Sequence, residues 1–366
     1  MAWQDELRNS ITTAEQLCDR LKLPASERDR FERIISQFPM MITPYYFSLI
    51  DPNDPEDPIA RMCIPSEAEL APEGSFDTSG EGSNTKQEGV QHKYTQTALI
   101  LSTNVCAMYC RHCFRKRLVG LSNAELNKQV DEAAAYVRAH PEITNVLISG
   151  GDSLMNPNAI IRRYLAEFCE IPSLDLIRFG SRVPVTFPQR INEDEELLDL
   201  FAMYARVKPI YLVTQFNHPR ELTPESVRAV RAFQKRGVQV RNQTVLLRGV
   251  NDDPRVLGEL LRGLTRIEVV PYYIFQCRPV TGVKGRFQVP LKDGVKIVDG
   301  AKAMQNGIGK GVRYAMSHPR GKIEILGETE DGKMLFKFHQ NKYPEDASRI
   351  FLTELGDGST WLDDTL

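Results

Sequence analysis

Apolar positions in the first fifty residues recur at helical spacing. Thr13 is placed to cap a turn that sets Leu17, Cys18 and Leu21 on one side, and Phe31, Ile34 and Ile35 repeat the spacing. At Ile50 the text changes to DPNDPEDPIA, whose Asp-Pro pairs bias the backbone away from helix. From Pro65 to Gln91 apolar residues are few and Ser, Gly, Glu and Asp dominate. That composition predicts a long surface segment leading into the main domain. The period then shortens. Six β-branched or aromatic runs follow between Thr97 and Phe275: TALILST, TNVLISG, DLIRFGS, PIYLVTQ, VQVRNQTVLL and IEVVPYYIF. Such runs suit strands buried on both faces.

Helical patterns separate most of these runs. Ser122 and Glu125 predict a capping box for a helix with Leu126, Val130, Ala133, Ala134 and Val137 on one face. Thr223-Pro224 opens another, with Val227, Val230 and Phe233 inside and Gly237 ending it. Beyond Pro279 a short helix is expected over about 291–304, followed by a hairpin in which GKIEILG returns as KMLFKF near Asp331-Gly332. Six strands alternating with helices specify an α/β fold with a parallel sheet, either open or curled into a partial barrel. The expected organisation is N-terminal helices with an extended linker over 1–90, the α/β unit over 91–285, and a small β-containing segment with an acidic tail over 286–366.

Composition narrows the class. A chain of 366 residues, 42% hydrophobic and 26% charged, can bury a core without disulfides, as one barrel-sized domain with additions or as two ordinary domains. With 46 Lys+Arg against 48 Asp+Glu there is no general pull toward nucleic acid or a membrane surface. No apolar run reaches membrane-spanning length, and MAWQDELRNS has no signal-peptide pattern. A cytoplasmic location is the expectation, with the seven cysteines acting as thiols, metal ligands or reactive groups. Cys18, Cys63 and Cys169 read as core or surface thiols, and the region beyond Gln340 as a peripheral tail.

Three cysteines are clustered. NVCAMYCRHCFRKR sets Cys106, Cys110 and Cys113 in a CxxxCxxC array directly after the first run. Soft sulfur ligands suit an iron–sulfur cluster or zinc. A zinc knuckle needs a fourth ligand, His92 or His112, and structural zinc usually takes two spaced pairs, whereas no second CxxC exists here. Three thiolates instead leave one iron of a [4Fe-4S] cluster open to a ligand. This spacing resembles the radical S-adenosylmethionine (SAM) superfamily, in which that iron chelates SAM and one-electron reduction cleaves the sulfonium. The next run ends in Gly150-Gly151-Asp152, similar to the superfamily turn whose backbone and acid bind the SAM amino group.

Longer strings narrow the resemblance. TPYYFSLIDPNDPEDPI, CAMYCRHCFRKR, ISGGDSLM, RFGSRVPVTFPQRI, TQFNHPRELT, NQTVLLRGVNDD and PYYIFQC occur in the order found in the lysine 2,3-aminomutase family, over roughly residues 40–280. The resemblance implies a partial (β/α)6 TIM-like barrel and a 1,2-shift of an amino group from the α to the β carbon. It also implies pyridoxal 5′-phosphate (PLP) beside SAM, a free amino acid as small-molecule substrate, an electron donor such as flavodoxin or ferredoxin, and a homo-oligomer. The family's PLP lysine falls on Lys322 in SHPRGKIEI, with Lys333 the poorer rival. Arg115 matches the arginine that clamps the substrate carboxylate. Lys93 matches a basic residue near the PLP phosphate, while Thr97 stands where the family has a second arginine. Arg182, His218 and Gln243 fall where SAM contacts lie.

Two positions depart from the lysine enzymes. Where those carry aspartates for the substrate ammonium, this chain has Arg278 and Ser317. A cation at Arg278 repels a lysine side chain and attracts a carboxylate, so a non-cationic substrate is expected, with glutamate first. If Arg278 pointed outward, Glu324 or Asp293 would be the acids left to serve lysine. Other readings are the same shift on a lysine of a protein such as a translation factor, radical SAM chemistry without PLP, and a non-catalytic zinc or iron–sulfur protein. No cysteine follows Cys277, so the C-terminal zinc site of longer family members cannot form in the same way.

Overall fold

All six predicted strands form in the computed structural model, which describes residues 2–121 and 123–363. Among the described residues they belong to one twelve-stranded sheet whose spatial order follows the sequence. The strands are β1 (Thr85–Gln87), β2 (Val90–Tyr94), β3 (Thr97–Thr103), β4 (Asn145–Gly150), β5 (Leu176–Gly180), β6 (Ile210–Thr214), β7 (Gln239–Leu246), β8 (Val270–Gln276), β9 (Arg313–His318), β10 (Gly321–Glu328), β11 (Met334–Asn341) and β12 (Ile350–Thr353). Strands β3 to β9 pair in parallel. The flanking strands pair antiparallel. The result is a partial TIM-type barrel with both ends of the sheet extended.

Side-chain alternation sorts the barrel wall into an outer core and an inner face. On β5, Ile177 and Phe179 are fully buried beneath the outer helices, while Arg178 and Gly180 line the interior cavity. Phe179, Phe201 and Phe233 stack edge to face at 5.0 Å, joining β5 to the helices Glu195–Ala205 and Pro224–Lys235. The Thr223 cap and the Thr13 cap form as expected. The hairpin of β10 and β11 also forms, with Gly332 in its turn at φ +80°. Cys18, Cys63 and Cys169 are buried. No helix of the described residues is long and apolar enough to cross a membrane.

Three local expectations hold only in part. The capping box does not open its helix: that helix is Val130–Arg138, starting after Gln129, and Glu125 pairs with Arg117 instead. Ser122 lies outside the described residues, and Leu126 packs in a small separate cluster with Leu101 and Leu118. The stretch 65–91 is only partly a surface segment. Residues 72–77 are exposed, but Glu69 is fully buried and ion-paired to Arg111, Lys116 and Arg286, and Ser79, Glu81 and Asn84 are buried at the barrel interior. The region beyond Gln340 is mostly at the periphery, yet its last described residues are seated: the Thr360 carbonyl accepts from Gln276 Nε2 at 2.9 Å, Trp361 stacks on His318, and Leu362 is buried. Within 65–91 polar composition misled because the buried acids are satisfied internally rather than by water.

Candidate active site

A cavity of about 370 Å³ occupies the barrel interior, and Cys106, Cys110 and Cys113 all line it. Their loop leaves β3 and is clamped against the end of β4. Thr103 and Val105 carbonyls accept from the backbone N–H groups of Gly151 (2.5 Å) and Asp152 (2.8 Å). The approach is so close that a Cβ on Gly151 would lie 2.5 Å from the Val105 oxygen, and one on Gly150, at φ +114°, 2.3 Å from the Thr103 oxygen. The glycine pair therefore lets the acid-bearing turn meet the cysteine loop. A Gly151→Ala variant is expected to lose about 1–3 kcal/mol of stability in urea unfolding. It should also hold less than half the iron of the parent after anaerobic reconstitution. Full iron loading at parental stability would refute this coupling.

The chemistry of the cysteine loop fits an iron–sulfur cluster. Burial pushes the Cys106 thiol well above its ordinary value and Cys113 to about 11, so thiolates here require a strong positive partner. Two donors already point at sulfur: Arg115 N–H to Cys113 Sγ at 3.3 Å, and Arg182 Nη1 to Cys110 Sγ at 2.8 Å. Among the described residues no three Cys, His, Asp or Glu side chains close around a single ion position. The two histidines offered for a zinc knuckle have other places: His92 bonds Tyr136 and the Thr95 carbonyl, and His112 Nε2 meets the Asn217 amide.

Asp152 is buried in the cavity wall, where desolvation raises its carboxyl to about 6. Its oxygens accept from Ser181 Oγ and Arg182 N, both at 2.6 Å. Gln243 on β7 also lines the cavity. His218 does not. Pro219 after it opens the 3-10 turn Pro219–Glu221, and the imidazole caps that turn by accepting from Arg220 N at 3.2 Å. The structure thus places His218 outside the cavity lining, with its Nδ1 used by its own turn.

Lys322 lies on β10, opposite Ser317 of β9 and Gln340 of β11, and all three line the cavity. Gly321 precedes it because a Cβ there would meet the Gln340 carbonyl at 2.3 Å. Lys322 Nζ stands 4.3 Å from the centre of the Tyr273 ring, with no carboxylate among the described residues to hold it. Burial, then Arg178, Arg278 and Arg313, pull the amine down to about 7. Lys333 instead pairs with Asp331 in the hairpin turn. Lys93 donates to the carbonyls of His318 (2.5 Å) and Ser79 (3.3 Å), and burial lowers it too to about 7. Thr97 lines the same wall.

The same cavity holds a group of guanidinium side chains. Arg115 and Arg278 stand 4.5 Å and 4.0 Å from the Phe114 ring centre. Arg278 points inward: it lines the cavity, donates to Ser79 Oγ at 2.9 Å, and is lowered to about 10 by burial against the pull of Glu81. The acids held in reserve for lysine are unsuitable, since Glu324 pairs with Arg313 and His339, and Asp293 is exposed. Glu81 is the acid of this wall. It pairs with Arg115 Nε at 3.1 Å and Arg117 Nη2 at 2.6 Å. Burial opposes its charge, but Arg115, Arg278 and Arg117 hold it below the usual carboxylate range. Glu81 and Ser79 were hidden in the stretch read as surface. Arg178 was visible as a charge in the middle of an apolar strand, a signal that sequence reasoning passed over.

Several cavity-lining groups await partners. Asn84 Oδ1, Gln91 Nε2, His112 Nδ1, Arg178 Nε and Thr214 Oγ1 are buried with no hydrogen-bond partner in the structure. Such atoms are costly unless a ligand satisfies them.

Known proteins align with this architecture. The radical SAM superfamily matches residues 100–260. A putative L-lysine 2,3-aminomutase of Aquifex aeolicus is 41% identical over 345 residues, covering 94% of this chain and 92% of that protein. The L-lysine 2,3-aminomutase of Clostridium subterminale is 40% identical over 308 residues, covering 83% and 73%. The glutamate 2,3-aminomutase of Clostridioides difficile is 37% identical over 321 residues, covering 87% and 74%.

Proposed function

Because this chain belongs to the lysine 2,3-aminomutase family of the radical SAM superfamily, we propose that it is a PLP-dependent 2,3-aminomutase whose substrate is a free acidic amino acid, glutamate first. Membership makes it an isomerase of the radical type, and the superfamily implies a [4Fe-4S] cluster, SAM and an external reductant. One observation carries the PLP half: a half-buried lysine, with no ion-pair partner among the described residues, lines the same cavity as the three cysteines. When bound, the cluster with SAM supplies a carbon radical able to take hydrogen from an unactivated C–H bond, and PLP supplies a conjugated acceptor for the migrating nitrogen.

The chain's residues divide the remaining work. Cys106, Cys110 and Cys113 hold the cluster; Gly150, Gly151, Asp152 and Gln243 present backbone and polar groups to SAM. Lys322 holds PLP covalently, and Lys93 faces its phosphate. Arg115 binds the substrate α-carboxylate through Nη2, because Nε donates to Glu81 and Nη1 to Ser149 Oγ and the Gly150 carbonyl. Arg278 receives the side-chain carboxylate, with Ser317 beside it. What supports the acidic substrate is that Arg278, at the position where the lysine enzymes carry an aspartate, is one of the cations lining the cavity, while Glu81 is already ion-paired to Arg115 and Arg117. The relatives' names do not separate lysine from glutamate, because identities to both kinds fall in one range.

Borohydride reduction of PLP-loaded protein, followed by peptide mapping, tests the assignment: a pyridoxyl adduct is expected on Lys322. Condensation of added PLP with the lysine of cofactor-free protein consumes a neutral amine, so its rate, read by borohydride quenching, should climb with pH, reach half its maximum near 7 and level off above about 8. Burial and then Arg178, Arg278 and Arg313 set this value, and Tyr273 and His339 also face the amine. An ordinary exposed lysine would reach half-maximum near pH ~10. A profile of that kind, or an adduct elsewhere, removes Lys322 from the role.

A further inference from the structure

Arg182 stands where β5 ends, and each edge of its guanidinium is engaged. Nη1 donates to Cys110 Sγ at 2.8 Å, Nε to the Gln215 carbonyl at 3.0 Å, and Nη2 to Glu221 Oε1 at 2.5 Å and the Tyr46 hydroxyl at 3.2 Å. Its backbone N–H is bound to Asp152 Oδ2. Glu221 is fixed in turn by the N–H groups of Asn217 (2.6 Å) and His218 (3.1 Å) and by the Tyr46 hydroxyl at 2.6 Å. Glu221 and Tyr46 are fully buried and Arg182 is 8% exposed. A long, flexible cation held at all three of its guanidinium nitrogens in a buried wall is pre-organised, and its action on a neighbouring charge is weakly screened.

This arrangement gives the FNHPRE stretch a purpose. Its 3-10 turn, capped by His218, presents the Glu221 carboxylate to Arg182 just after the Gln215 carbonyl has done so. The chain thus spends two barrel loops to aim one guanidinium at one cysteine sulfur. Cys113 receives only a neutral backbone donor, at 3.3 Å.

We propose that Arg182, held by Glu221, is a positioning residue for the iron–sulfur cluster whose charged N–H···S bond to Cys110 raises the cluster's reduction potential. The inference rests on Cys110 being a cluster ligand, as read above. Reduction adds one electron to the cluster, taken from a low-potential one-electron carrier that is oxidised by the same electron, with no bond made or broken. The added negative charge is spread onto the cysteine sulfurs, so a fixed cation bonded to one of them favours the reduced state. Charge-assisted donors act about twice as strongly as neutral ones. Glu221 moderates the effect, because its carboxylate balances part of the same charge.

The two residues must therefore move the potential in opposite directions, which a merely structural role would not do. The test is a mediated redox titration of the full-length, anaerobically reconstituted protein, followed by electron paramagnetic resonance of the reduced cluster without substrate. For Arg182→Gln the fraction reduced, at the parental midpoint, should fall about tenfold relative to oxidised cluster, equivalent to about 59 mV for a one-electron couple. For Glu221→Gln the midpoint should move upward. An iron-loaded Arg182→Gln protein with the parental midpoint overturns the proposal. So does a Glu221→Gln protein whose midpoint is unchanged or lower, and that variant decides alone if Arg182→Gln holds no iron. Loss of iron from both variants with the fold intact also counts against it, since scaffolding would then suffice. If the parent itself forms no four-iron signal, the assignment of the cysteines fails first.

Discussion

A Lys322→Ala variant is expected to lose 2,3-aminomutase turnover by about 10⁴-fold or more, the scale on which removing a covalent catalytic group acts. The same variant should still cleave SAM when reduced with dithionite, because the cysteine loop and the Gly150-Gly151-Asp152 turn do not depend on Lys322. Its fold should persist. Among the described residues Lys322 has no ion pair to lose, and burial, then Arg178, Arg278 and Arg313, disfavour its charged form. Relief of that penalty offsets the lost contacts of Nζ with the Tyr273 and Phe275 rings, so the thermal midpoint should change little. Product assay, SAM-cleavage assay and melting together separate a covalent role from a structural one. A variant that keeps its turnover makes Lys322 an ordinary strand residue and takes PLP out of the cavity.

Reversing the charge at Arg278 should change which amino acid is accepted. At about 4 Å and an effective dielectric near 20, a unit charge pair is worth about 4 kcal/mol, or roughly 10³-fold in relative kcat/KM. Arg278→Asp is thus expected to lower the preference for glutamate over lysine by at least that factor. Glu81 lies in the field of Arg278, so an aspartate placed there meets a second acid and part of its charge is suppressed. The neutral Arg278→Asn variant is the companion: it should lose the glutamate preference without gaining lysine. Unchanged ratios in both variants would show that Arg278 does not meet the substrate side chain.

The barrel was legible because its strands are apolar runs between helices of ordinary period. Two motifs of rigid spacing, CxxxCxxC and Gly-Gly-Asp, located one wall of the cavity, and the clamp between their loops explains why they follow successive strands. Strand β9 was missed because RYAMSH mixes polar and apolar positions. The larger omission was the wall formed by Ser79, Glu81 and Asn84. Hydropathy counts a buried acid as a surface residue unless its partners are known, and those of Glu81 lie 34 and 36 residues away on the cysteine loop. Gly80 at φ +67° and the Asp77 carboxylate, which accepts from Glu81 N at 2.6 Å, shape that turn, but a Gly-Ser-Asp text has the same look in a solvated loop. A histidine at a strand end suggests a ligand contact, and at His218 the following proline also makes it a turn cap. Arg182 lines the cavity, but only the structure shows its donor on Cys110.

Anaerobic reconstitution with iron, sulfide, SAM and PLP, reduction with dithionite, and exposure to an equimolar mixture of the common amino acids puts the proposed reaction to the most direct trial. Mass spectrometry of the products should reveal β-glutamate as the dominant new β-amino acid. β-Lysine in its place, or no β-amino acid from protein shown to hold both cluster and PLP, would contradict the assignment of Arg278 and Lys322 to one acidic-substrate aminomutase site.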